Sequence, residues 1–75
     1  MCKKEFIEDC LVQFQESDLN SFLCKCEKRV QKFAHSIFNY KGEQGHLIRH
    51  KFKKDIRQEL KRKWCLKNNR LDLLK

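Results

Sequence analysis

The sequence predicts an all-α protein, a small three-helix bundle built on a long antiparallel helical hairpin and completed by homodimerisation. Apolar residues recur at helical spacing through most of the 75 residues, proline is absent, and Gly42 and Gly45 are the sole glycines. So few chain breakers leave little scope for the tight turns of a many-stranded β fold. Residues 1–75 read as one helical domain, without repeat, low-complexity run or linker. A chain this short buries only about 60% of the surface that its unfolded form exposes. Its 40% hydrophobic content, with six Phe, one Tyr and one Trp, still exceeds what a disordered tail of equal charge carries.

Helix 1 is expected over about residues 3–16, where Phe6, Ile7, Cys10, Leu11 and Phe14 fall on one side and Glu5, Glu8, Asp9 and Glu16 on the other. Early carboxylates suit the positive end of the helix dipole. Their negative face belongs on the far side from any polyanion. Ser17 or Asp18 is placed to cap the next helix.

Helix 2 is expected over about 18–40, with an apolar stripe of Leu19, Phe22, Leu23, Cys26, Val30, Phe33, Ala34, Ile37 and Phe38. Its opposite face gathers Lys25, Lys28, Arg29 and Lys32. Gly42 is positioned as the left-handed residue that closes this helix, and Lys41 to Gly45 forms the link. Helix 3 follows over about 46–67, and a short C-terminal turn over 70–75 brings Leu71, Leu73 and Leu74. Asn68 and Asn69 are poor interior residues that end helix 3. Helix 1 is too short to cover both long stripes. Apolar surface around Phe38, Phe52, Trp64 and the terminal leucines is therefore expected to be wet in a monomer and covered in a two-fold dimer.

Charge is distributed unevenly. Residues 1–27 carry three Lys and six Asp or Glu, net −3; residues 28–45 carry net +3; residues 46–75 carry eleven basic and three acidic residues, net +8. Such a gradient attracts and orients an anionic partner.

The basic residues are densest from His46 to Lys67, HLIRHKFKKDIRQELKRKWCLK. On a helix, Ile48, Phe52, Ile56, Leu60 and Trp64 make the core stripe, while His50, Lys54, Arg57 and Lys61 form an outer row flanked by Lys51 and Arg62. Neighbouring cations lie roughly 5 to 6 Å apart, a spacing that follows successive phosphates. The candidate nucleic-acid-binding residues are these six, assisted by Lys25, Arg29 and Lys32. No aromatic residue is interleaved among the cations to stack on unpaired bases, which points to a duplex. No DNA-reading motif is visible, and a helix-turn-helix needs a tighter turn than KGEQG, so RNA is preferred to DNA. The rival from another class is a small basic interaction protein or inhibitor that binds an acidic surface of a partner protein.

Other chemistries find less to build on. Cys24 and Cys26 precede His46 and His50 in a CxC…HxxxH pattern. The histidines share a face, but the cysteines of one helix point about 200° apart, so no metal or other cofactor is assigned. No phosphate loop, nucleophile elbow or suggestive carboxylate pair appears, and a chain of this size has little room for a pocket that excludes water. The expectation is a non-enzymatic protein. Five cysteines, an odd number, follow an opening MCKKEF that lacks a signal-peptide run, and no segment is apolar enough for a membrane. Together these predict an intracellular protein, cytoplasmic or nuclear, with reduced thiols and no membrane partner.

Overall fold

The computed structural model describes residues 2–74. It contains α1 (Lys3–Gln13), α2 (Leu19–Ile37), α3 (Gly42–Lys67) and a closing 3-10 turn (Leu71–Leu74), with no strand among the described residues. At about 1.5 Å per residue, α3 alone spans about 39 Å. The longest dimension of the molecule is 40 Å.

α2 and α3 form the antiparallel hairpin, and α1 lies in the groove between them. Lys3 pairs with Glu59 at 3.1 Å, and Lys67 Nζ donates to the Leu11 carbonyl at 3.1 Å, so α1 runs parallel to the C-terminal half of α3. Against α2 it runs the other way: Phe6 meets Phe33, Asp9 meets Arg29, and Glu16 meets Lys25. The covered half of the hairpin holds the core. Phe6, Ile7 and Cys10 of α1 pack with Phe22, Cys26, Val30 and Phe33 of α2 and with Ile56, Leu60, Trp64 and Cys65 of α3.

α1 and α2 stop where a tertiary contact engages the backbone just beyond them. α1 ends at Gln13, short of residue 16, because the chain turns at Phe14 and brings the Glu16 carbonyl to Trp64 Nε1, which donates to it at 3.1 Å. Asp18 caps α2, accepting from the Ser21 amide at 3.0 Å. α2 ends at Ile37, short of residue 40. Arg49 donates to the carbonyls of Phe38 and Tyr40 at 2.8 and 2.7 Å, fastening the link in a non-helical path.

Gly42 has a φ of +90° but opens α3; it does not close α2. α3 thus begins four residues before the expected residue 46. Gly45 lies inside its first turns, where a Cβ would stand 2.3 Å from the Tyr40 carbonyl oxygen. The close approach of the link requires a residue without a side chain at that point.

Burial along the hairpin follows the reach of α1. A chain of rings runs outward from it: Phe6 stacks on Phe33 at 4.3 Å, Phe33 meets Phe52 at 5.7 Å, Phe52 meets Phe38 edge-on at 5.0 Å, and Phe38 lies 6.4 Å from Tyr40. The first two are buried, Phe52 and Phe38 are half-buried, and Tyr40 is 59% exposed. Ile48, expected on the core stripe, is exposed for the same reason. Trp64 departs from expectation in the opposite sense. It is 2% exposed, packed in the α1-covered half, and adds no wet surface to the monomer. Cys65, off the stripe, is buried beneath the returning chain, where the Arg70 amide donates to the Cys65 carbonyl at 2.8 Å and Leu73 packs on the core. Leu71 and Leu74 are exposed.

Candidate nucleic-acid interface

α3 presents its cations by the same periodicity that buries Ile56, Leu60 and Trp64. Helical geometry places His50, Lys51, Lys54, Lys61 and Arg62 within an arc of about 120° on the side away from that core row. Lys51, Lys54 and Arg62 are exposed, and Lys61 is half-buried. Asp55 lies at the margin of the arc, and the neutral Gln58 lies within it. None of these five, nor Lys32, has a carboxylate partner among the described residues.

The other three candidate cations are engaged inside the molecule. Arg57 donates through Nε to Glu27 Oε2 at 2.9 Å and through Nη2 to Glu27 Oε1, a two-point pairing that joins α3 to α2. This hydrogen bonding, reinforced by the charges of Arg57 and Lys53, holds the Glu27 carboxyl below its ordinary range. Arg29 donates to Asp9 and, at 2.6 Å, to Gln13 Oε1, and its guanidinium lies 5.9 Å from the ring centres of Phe6 and Phe14. Lys25 pairs with Glu16.

The basic groups of the two long helices therefore occupy different sides. Glu27 and Arg29 are two residues apart on α2, about 200° around the helix. Glu27 meets α3 while Arg29 meets α1. Lys25 and Arg29 line the seam with α1, Arg57 lines the seam with α2, and the arc of Lys51, Lys54, Lys61 and Arg62 faces outward. Lys32 stands beside Phe6, Phe33 and Ser36 at the edge of α1. Two cations outside the sequence-derived set also matter: Arg49, which clasps the link, and Lys41, exposed at the hairpin tip beside Tyr40, Gln44 and Ile48. Arg49 heads a row at steps of four with Lys53, Arg57 and Lys61, a spacing that could have singled it out, whereas Lys41 lies in the link and belongs to no such row.

Charge is nonetheless concentrated. Between Glu27 and Asp55 the chain carries eight Lys or Arg and a single carboxylate, Glu43, a net +7 out of +8, together with all three histidines. Ile37, Tyr40, Leu47 and Ile48 are exposed at the tip of this segment.

His46 and His50 lie one turn apart with ring centres separated by 6.5 Å. Cys26 is buried in the core and Cys24 is exposed on α2. Among the described residues no three His, Cys, Asp or Glu side chains group as a metal would require. Also among the described residues, no helix is long and apolar enough to cross a membrane. The chain matches no family model, no curated protein and no solved structure.

Proposed function

We propose that this chain is a non-enzymatic protein that binds duplex nucleic acid through phosphate contacts, without reading base sequence. Lys51, Lys54, Lys61 and Arg62 on the outer face of α3 make the principal contacts, with His50 and Lys32 at the margins. The observation that carries this reading is an outward row of cations without carboxylate partners among the described residues, beginning with Lys51 and Lys54 in the segment of net +7 and continuing beyond it to Lys61 and Arg62. Unpaired Lys and Arg side chains release counterions when they meet phosphate, and this drives affinity regardless of sequence. Arg57, Arg29 and Lys25 take a positioning role, since each already has an acidic partner. No exposed aromatic stands within the row, which favours a duplex over single strands. RNA is preferred because helix faces that touch only backbone recognise a duplex by shape.

The test is a gel-shift comparison of duplex RNA, duplex DNA and single strands at two salt concentrations. The reading requires duplex binding that falls steeply with salt and is indifferent to sequence. Equal or stronger binding of single strands, or no shift at low salt, overturns it.

A second reading, a small basic protein that binds an acidic partner protein, is favoured by the exposed Ile37, Tyr40, Leu47 and Ile48 at the hairpin tip. Phosphate contacts alone give no reason for that apolar group.

A further inference from the structure

The groove between α2 and α3 is only half filled. α1 occupies it from Phe33 towards the C-terminal end of α3, and the remainder continues past Phe52 and Phe38 to Tyr40 and Ile48. We infer that the vacant half is a docking site for an acidic amphipathic helix of a partner protein, seated end to end with α1. This deepens the second reading above and does not depend on the nucleic-acid reading.

The occupied half shows what chemistry the groove accepts. α1 puts Phe6 flat on Phe33 and, three residues later, Asp9 against Arg29. An apolar side chain thus enters the ring-lined floor while a carboxylate at i+3 meets the cation on the α2 rim. The vacant half repeats both elements. Phe52 and Phe38 continue the floor with ring centres 5.0 Å apart, and Ile37 and Ile48 border it at 43% and 42% exposure. On the rim, Lys32 stands three residues beyond Arg29, and Lys41 lies beside Tyr40 and Ile48 at the far end. Neither has a carboxylate partner among the described residues. A helix with apolar residues at i, i+3 or i+4 and carboxylates three residues after an apolar anchor fits this surface as α1 fits its own half.

A second copy of the chain is the rival occupant. An isologous contact through this surface would bring the rim cations Lys32 and Lys41 towards those of the second copy, and like charges brought together oppose association. An acidic partner has the complementary charge and the same apolar requirement.

The probe is a synthetic peptide of residues 3–16 of this chain with Cys10→Ser, titrated into the isotopically labelled full-length protein and followed by NMR. A control peptide carries Glu5→Lys, Glu8→Lys, Asp9→Lys and Glu16→Lys. The expected result is a set of shifts confined to Ile37, Phe38, Tyr40, Ile48 and Phe52, with affinity lowered at least tenfold by Ile48→Glu or Lys32→Glu and no response to the control peptide. Trp64 emission checks that each variant stays folded. Shifts centred on Cys10, Phe22 and Leu60, meaning exchange with resident α1, overturn the proposal. So does equal binding of the control peptide, or a self-association in sedimentation that Ile48→Glu dissolves. Capture by vesicles containing phosphatidylserine, lost in Ile48→Glu while the peptide stays silent, would assign the surface to lipid instead. The neutral change Ile48→Gln, which adds no carboxylate beside Lys51, should leave the duplex gel shift unchanged while weakening peptide binding, so failure here and failure of the nucleic-acid reading are separable.

Discussion

Arg57 of α3 grips both carboxylate oxygens of Glu27 on α2, thirty residues back along the chain. The pair is the polar tie across the hairpin, and it removes from the outer row a cation that periodicity alone would assign there. Replacing Glu27 by Gln releases Arg57. Both side chains are more than a third exposed, so the stability lost at neutral pH is expected to be below about 1 kcal/mol. Duplex affinity should rise, because one more guanidinium becomes available for phosphate. The Glu27 carboxyl is held below the range it has in the unfolded chain, so its stabilisation is full above about pH 4.3 and is lost as pH falls through the folded value. Thermal melts at pH 7, 4 and 3 should therefore show the wild-type advantage over E27Q shrinking with acid.

Salt dependence should discriminate between the outward and the internally paired cations. Changing Lys51, Lys54 and Lys61 together to Gln should lower the magnitude of the log-log salt slope on B-DNA by about 2.7, three phosphates' worth of counterion release. Changing Lys25 and Arg57 to Gln should alter the slope far less, because Glu16 and Glu27 already neutralise them. Binding titrations at four or five salt concentrations decide the matter. Equal effects from both sets would remove the distinction.

The glycines differ in what an added methyl group meets. Gly45→Ala would drive a Cβ to 2.3 Å from the Tyr40 oxygen, which is backbone, so the link or the start of α3 must move, at about 1 to 3 kcal/mol. Gly42→Ala has open space and incurs only the cost of a left-handed residue, about 1 to 2 kcal/mol. Urea unfolding measures both. NMR shifts at Tyr40 and Arg49 should accompany the Gly45 change alone.

The five thiols should separate into two kinetic classes. Cys2 and Cys24 are exposed, whereas Cys10, Cys26 and Cys65 are buried. Cys10 of α1 and Cys26 of α2 are both buried in the core, and the interaction between the two thiols raises that of Cys26 and lowers that of Cys10. Alkylation followed by mass spectrometry should give two rapid additions, then three that appear only as the fold opens. Rapid labelling of Cys10 in the native state would show that α1 detaches readily.

Much of the fold was legible because a helical stripe needs no tertiary information. Phe22, Cys26, Val30 and Phe33 recur at steps of four, four and three, and all are buried. The ends of the helices were less legible. What stops α2 is Arg49, twelve residues past Ile37, and what turns the chain after Gln13 is an indole fifty-one residues away. Local propensity carries no trace of either partner. The candidate site was legible in the same proportion. An outward position on α3 follows from spacing, and Lys51, Lys54 and Arg62 are exposed. Which cations already hold a carboxylate depends on how helices are juxtaposed, so the engagement of Lys25, Arg29 and Arg57 had no signature in the chain.

The link between the long helices is four residues, 38–41, and Arg49 is fastened to two of their carbonyls. Two rods joined this closely have no slack with which to slide or splay, so their uncovered end is a stiff prong. A ligand that seats there meets a receptor already ordered, and little flexibility has to be frozen at the moment of encounter.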